Sequence, residues 1–178
     1  NIWLGLDNGI SFINSNSAFR IYHDKTGELG SVYAAQFHDG RLYLGTNQGL
    51  YYRDENTRSG FTFIPKTQGQ VWSLTKIGET LFCGHHKGTF VVNGTTVTHI
   101  EQTLGTWDVK ALKPSENRLL QGSYDGLYVL EKSKGKWQVA HKIDGFGHSS
   151  RFFERLGNTI FVNHEYKGLF KIKVDLTY

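Results

Sequence analysis

The sequence predicts an all-β chain, an arc of a β-propeller built from four-stranded antiparallel blades, and three observations predict it. A pair of glycines four residues apart recurs as Gly5/Gly9, Gly45/Gly49, Gly84/Gly88 and Gly122/Gly126, with a degraded copy ending at Gly168. The second glycines, at 9, 49, 88, 126 and 168, are spaced by 40, 39, 38 and 42 residues, which is the length of a propeller blade. Glycine is abundant at 21 residues, proline is nearly absent at 2 and aromatic residues reach 14%, a profile that suits short strands joined by tight turns and does not suit helices.

Each element of the repeat follows from its residues. Three apolar residues in a row, as in Ile2-Trp3-Leu4, Leu42-Tyr43-Leu44, Leu81-Phe82-Cys83 and Ile160-Phe161-Val162, read as a strand buried on both faces, strand B of the unit. The Gly-x-x-x-Gly that follows, with fillers such as Thr46-Asn47-Gln48 and Ser123-Tyr124-Asp125, reads as a tight reversal needing positive φ at glycine. It leads into strand C: Leu50-Tyr51-Tyr52, Phe90-Val91-Val92, Leu127-Tyr128-Val129 and Leu169-Phe170-Lys171.

Upstream, Val32-Tyr33-Ala34-Ala35, Val71-Trp72-Ser73-Leu74 and Val109-Lys110-Ala111-Leu112 each begin 17 residues before the second glycine, and Ser150-Arg151-Phe152-Phe153 begins 18 before it. This block is the innermost strand A, turned into B by Asp39-Gly40, Gly78-Glu79, Ser115-Glu116 and Gly157-Asn158. The outer strand D is the least regular, at about Phe19 to Tyr22, Phe61 to Ile64, Val97 to Ile100 and Trp137 to Lys142. The units run over 1–23, 31–64, 70–101, 108–143 and 149–174 of a single domain, 1–178, giving about 4.5 blades. The strands missing at the two ends do not complete one another, so the chain reads as a fragment of a longer protein.

Composition narrows the partners. No run approaches the roughly 18 apolar residues of a membrane span, so any membrane association is expected only through segments outside this chain. The formal net charge of +4 is spread among interleaved acids and bases, which argues against a nucleic-acid partner. The single cysteine, Cys83, excludes an internal disulfide framework and any multi-cysteine zinc site. It stands where Leu4, Leu44 and Val162 stand in the other units, which predicts an inert buried thiol.

Ligands of propellers sit where strand A starts and the B–C turns gather. That rim carries Trp107, Asp108 and His148 at the starts of strand A, and His85, His86, Tyr124, Asp125, His164, Glu165 and Tyr166 in the B–C turns. The aligned second position of strand A is Tyr33, Trp72, Lys110 and Arg151, two aromatics followed by two cations. Read functionally, this is a pocket in which aromatic faces stack on sugar rings while Lys110 or Arg151 pairs with a carboxylate or sulfate; read structurally, the four pack between blades. The channel side is favoured because no carboxylate recurs at a matching position to pair with a buried cation. No metal site is expected, since adjacent residues such as His85 and His86 point oppositely in an extended turn, and no cofactor is expected either. Asp108 and Glu165 are the one candidate carboxylate pair for a glycosidase or uronate lyase, with His148 or Tyr166 assisting, but nothing sets their separation, and binding is expected over catalysis.

The blocks Ile2 to Ile10, Leu42 to Leu50 and Leu119 to Leu127, read with the Val-x-Ala/Ser-Leu strand and the Asp-Gly turn, resemble the two-component regulator propeller repeat. The likeness covers nearly the whole chain, with departures at Leu81 to His86 and Ile160 to Tyr166, which lack the usual Gly-Thr pair. The resemblance implies a seven-bladed propeller in the periplasmic sensor region of a hybrid two-component system. It implies homodimerisation of the full-length protein and an oligosaccharide or other small ligand. A propeller enzyme and a protein–protein scaffold are the alternatives.

Overall fold

The computed structural model describes residues 1–19, 27–57, 60–112 and 117–175. Every regular element among them is a strand, and all pairing is antiparallel between sequence neighbours. A two-stranded sheet, β1 (Ile2–Leu6) and β2 (Gly9–Ile13), comes first. Three four-stranded blades follow. They are β3 (Val32–His38), β4 (Arg41–Thr46), β5 (Leu50–Asp54) and β6 (Thr62–Phe63); then β7 (Val71–Ile77), β8 (Thr80–His85), β9 (Gly88–Asn93) and β10 (Thr96–His99); then β11 (Thr106–Ala111), β12 (Arg118–Ser123), β13 (Gly126–Ser133) and β14 (Lys136–Lys142). A three-stranded sheet of β15 (Phe152–Leu156), β16 (Thr159–His164) and β17 (Gly168–Lys173) ends the order. This is a partial propeller, as the period predicts. Strand D shrinks to two residues in the second unit, and the first unit's expected strand D, like the Ser115-Glu116 turn, falls largely outside the described residues.

The three-apolar strands are buried on both faces because successive side chains enter two different inter-blade layers. Leu81 and Cys83 of β8 join Tyr43, Leu50, Ile64, Val71 and Leu74 in one layer, while Phe82 between them packs with Ile100, Val109, Leu119 and Leu130 in the next. On β12, Leu119 lies in that second layer and Leu120 in a third, with Leu127, Val129, Phe146, Phe153, Ile160 and Val162. Fully burying one such side chain stabilises by about 1.5–3 kcal/mol, so the layers rather than the turns hold the arc together. The first hairpin departs from expectation: Ile2, Trp3 and Leu4 are exposed, because none of them belongs to an inter-blade layer.

The paired glycines do two different jobs. The second of each pair takes positive φ, 151° at Gly49 and 129° at Gly88, as the reversal requires. The first does not. It is small because strand A of the next blade passes over it: a Cβ on Gly45 would lie 2.4 Å from Val71 Cγ1, and one on Gly122 would lie 2.1 Å from the Ser150 carbonyl oxygen. The expectation that both glycines serve the turn is therefore corrected for Gly45, Gly84 and Gly122, which are packing residues.

Candidate functional site

A β-bulge opens strand A of each complete blade. Between Val32 and Ala34, Val71 and Ser73, and Thr106 and Asp108 the register slips by one, leaving Tyr33, Trp72 and Trp107 as the extra residues. A bulge re-aims its side chain, and these three turn toward one another across the blades. The Tyr33 and Trp72 rings stack at 5.3 Å with 27° between planes, and Trp72 meets Trp107 at 4.9 Å. The Arg151 guanidinium then lies over Trp107 at 5.0 Å. Tyr124, from the β12–β13 turn, contacts Trp107 at 4.8 Å and accepts a 2.6 Å hydrogen bond from Trp72 Nε1; burial, chiefly, raises its phenol above the usual range. Trp107 Nε1 donates to Ser149 Oγ at 2.9 Å, which ties the ladder to the segment leading into β15.

The third rung is thus Trp107 and not Lys110, a correction to the sequence alignment. The A–B connection explains the error. Ile77 pairs with Thr80 across a two-residue turn, whereas Ala111 pairs with Leu119 and the Leu112 amide donates to Arg118 across a longer one. Counting back from the glycine therefore lands three residues late. Lys110 instead reaches the last sheet, donating to the Phe153 carbonyl at 2.8 Å and pairing with Glu154.

Although no carboxylate recurs at a matching position, each cation has a partner. Glu154 pairs with Lys110, and Glu165 pairs with Arg151 at 3.1 Å. The inference that these cations would go unpaired between blades, used to favour the channel side, is corrected: Lys110 has a partner across the blade gap and Arg151 one within the last unit. Asp108, Lys110 and Arg151 line one cleft of about 240 Å³ with Glu154 and Phe152. Asp108 accepts from Thr75 Oγ1 and from the Val109 amide, each at 2.8 Å. The carboxylates weighed for catalysis are therefore engaged, Asp108 with Thr75 and Glu165 with Arg151.

The other candidates gather on the last sheet. His148 stacks on Phe170 at 5.0 Å and meets His164 edge-on at 5.9 Å, and the His164 Nδ1 accepts the Tyr166 amide at 3.1 Å. Tyr166 itself is 90% exposed. His85 is fully buried: its Nδ1 accepts the Lys87 amide at 3.0 Å, which leaves Nε2 to donate to the Thr67 carbonyl at 3.2 Å. Its pKa is pushed down to about 4, first by burial and then by His86. The two imidazoles do not point apart as expected; their centroids are 4.3 Å from each other because His86 folds back over Gly69. Among the described residues no third His, Cys, Asp or Glu joins them. Cys83 is buried as predicted, and burial raises its thiol pKa.

A sequence signal for the ladder was available: Gly30-Ser31-Val32-Tyr33, Gly69-Gln70-Val71-Trp72 and Gly105-Thr106-Trp107 each place an aromatic two or three residues after a D–A glycine.

No protein-family model and no curated protein matches the chain. Solved structures do. One is the extracellular domain of a protein described as a hybrid two-component system, BT4673, from B. thetaiotaomicron, with TM-score 0.64, 17% identity, and 99% of this chain aligned to 25% of that one. A second, BT3049 from the same organism and described likewise, aligns with TM-score 0.66 at 13% identity over 81% of this chain and 23% of that one. A computationally designed protein, Ika4, matches with TM-score 0.59 at 16% identity over 84% of this chain and 95% of its own. The chain thus spans about a quarter of these two extracellular domains. At these identities the likeness establishes the propeller-like fold.

Proposed function

We propose that this chain is a ligand-sensing arc of an extracytoplasmic propeller in a two-component regulatory system, and that it holds an oligosaccharide at the Tyr33–Trp72–Trp107 ladder. The observation that carries this reading is the ladder itself. Three bulges on three consecutive blades spend a register slip to bring aromatic side chains together at the start of the inner strands, where the first rung stays 48% exposed. Packing alone asks for apolar residues inside the inter-blade layers, and these rings lie outside the three layers. Partly exposed aromatic faces and edges suit the apolar faces of pyranose rings, and the Trp and Tyr polar atoms suit hydroxyls. Arg151 closes the row with a cation whose carboxylate partner, Glu165, an acidic sugar can replace. His148, His164 and Tyr166 form the flank of the same rim. The fold shared with extracellular domains of hybrid two-component systems supports the placement outside the cytoplasm; signalling would pass to membrane and output segments elsewhere in the full-length protein, which we take to be a homodimer.

The test is calorimetric titration of neutral and acidic oligosaccharides into the wild type, Trp72→Ala and Arg151→Ala. Trp72→Ala weakens all productive ligands by about ten- to a hundred-fold, about 1.4–2.8 kcal/mol, through lost stacking. Arg151→Ala weakens only the acidic ones. Unchanged affinities in both variants, with the fold intact by circular dichroism, refute the site.

A further inference from the structure

Far from the ladder, a groove of about 680 Å³ runs between the outer strands of two blades. One wall is the whole of Gly135 to Val139 at the start of β14; the other is Thr98 to Gln102 at the end of β10, and Val91 and Asn93 form part of the floor. Among the described residues both β10 and β14 are the last strands of their sheets, so each presents one row of backbone amides and carbonyls to no further strand there. Trp137 lines the groove, packed edge-on against Phe82 at 5.1 Å, and its indole N–H is shielded from solvent with no hydrogen-bond partner among the described residues. A shielded donor without an acceptor is unfavourable and is relieved by any carbonyl that enters. The β13–β14 hairpin that forms this wall carries Lys132, Lys134 and Lys136, and none of the three makes an ion pair among the described residues. On the facing wall the one acid, Glu101, is 90% exposed and sits 4.0 Å from His99.

We propose that this groove is a second binding site, for an extended acidic peptide segment that adds as a strand to the free edge of β14. An edge strand needs a partner with a peptide backbone, which favours a peptide over a sugar. The five-residue wall is about 16 Å long at about 3.3 Å per residue, so it accommodates five or six residues. The peptide's carbonyls accept from the β14 amides and, once the indole turns its N–H toward the groove, from Trp137 Nε1, while its acidic side chains face Lys136 in the lining and Lys132 and Lys134 of the same hairpin. This site is independent of the ladder.

The test is a positional-scanning library of N-acetylated, C-amidated hexapeptides, screened against the full 178-residue chain, Trp137→Phe and the double variant Lys132→Glu/Lys136→Glu. The wild type enriches acidic residues at alternate positions. Binding of the best peptide falls roughly five- to ten-fold in Trp137→Phe, which keeps the packing and loses the donor, and at least tenfold in the double variant. In amide spectra the peptide shifts residues 135–139 and leaves Trp72 and Trp107 unmoved. No enrichment, enrichment equal in all three proteins, or equal binding of a proline-interrupted control that cannot pair as a strand overturns the proposal.

Discussion

The first glycines of the repeat supply a test in which one substitution has two opposite outcomes. Gly122→Ala places a methyl group 2.1 Å from the Ser150 carbonyl oxygen and 2.6 Å from Phe153 Cε1. The oxygen belongs to the backbone of the neighbouring sheet, and the Phe153 ring is buried in the layer between the two sheets, so neither yields without parting the blades. Overpacking of this kind costs about 1–3 kcal/mol, and two rigid obstacles put Gly122→Ala near about 3. For a chain of this size each kcal/mol moves the melting temperature by about 2–4 °C, hence a fall of about 6–12 °C. Gly5 occupies the same place in the first hairpin and, among the described residues, has nothing within 4 Å of its Cβ direction. Gly5→Ala is neutral or stabilising by up to about 1 kcal/mol, because it only removes freedom from the unfolded chain. Gly84→Ala falls between the two, since its nearest obstacle, Ser73 Oγ at 2.4 Å, rotates away while the Thr106 carbonyl at 3.0 Å does not. Calorimetric melts of the three variants give the ranking. Equal melting temperatures for Gly122→Ala and Gly5→Ala refute the claim that the first glycine is an inter-blade contact.

Three further outcomes are expected. His85 has a folded pKa of about 4 against an ordinary value of 6.5, so the unfolded chain binds its proton first; its stabilising contribution is complete above about pH 6.5 and is lost as the pH falls toward 4. Melts at pH 7.5 and 5 show this loss, and His85→Thr, which copies Thr46 at the same place, flattens it; an unchanged pH dependence contradicts the assignment. Cys83 resists thiol reagents until the chain unfolds, and rapid labelling of the native protein rules out the buried strand β8. The exposed Ile2, Trp3, Leu4, Ile10, Phe152 and Leu169 drive self-association at tens of micromolar, and a clean monomer by sedimentation contradicts this.

The period and the strands were legible because a propeller writes them locally. Every blade needs a two-sided strand B and a turn glycine at a constant distance, and both are one-residue decisions visible without tertiary context. What escaped was set by relations between blades. The register of β11 was hidden by an A–B connection three residues longer than its equivalents, which turned Lys110 into a false third rung. The partners of Lys110 and Arg151 were hidden because Glu154 and Glu165 recur at no matching position in other blades; one pair is local to a single blade gap and the other to the last unit. The first glycine looked like a turn residue because the next-blade atoms that block it lie 22 to 28 residues on in sequence, Val71 from Gly45, Thr106 from Gly84 and Ser150 from Gly122. The exposure of Ile2-Trp3-Leu4 carries the same lesson: an apolar triplet signals a two-sided strand and does not supply the layers on either side.

The most direct test of the central claim is a crystal structure of the chain with the tightest-binding oligosaccharide from the titration panel. The sugar is expected across Tyr33, Trp72 and Trp107, within hydrogen-bond reach of Tyr124, with any carboxylate on Arg151 in place of Glu165. A sugar bound elsewhere, with the ladder bare and the Arg151–Glu165 pair intact, contradicts the account.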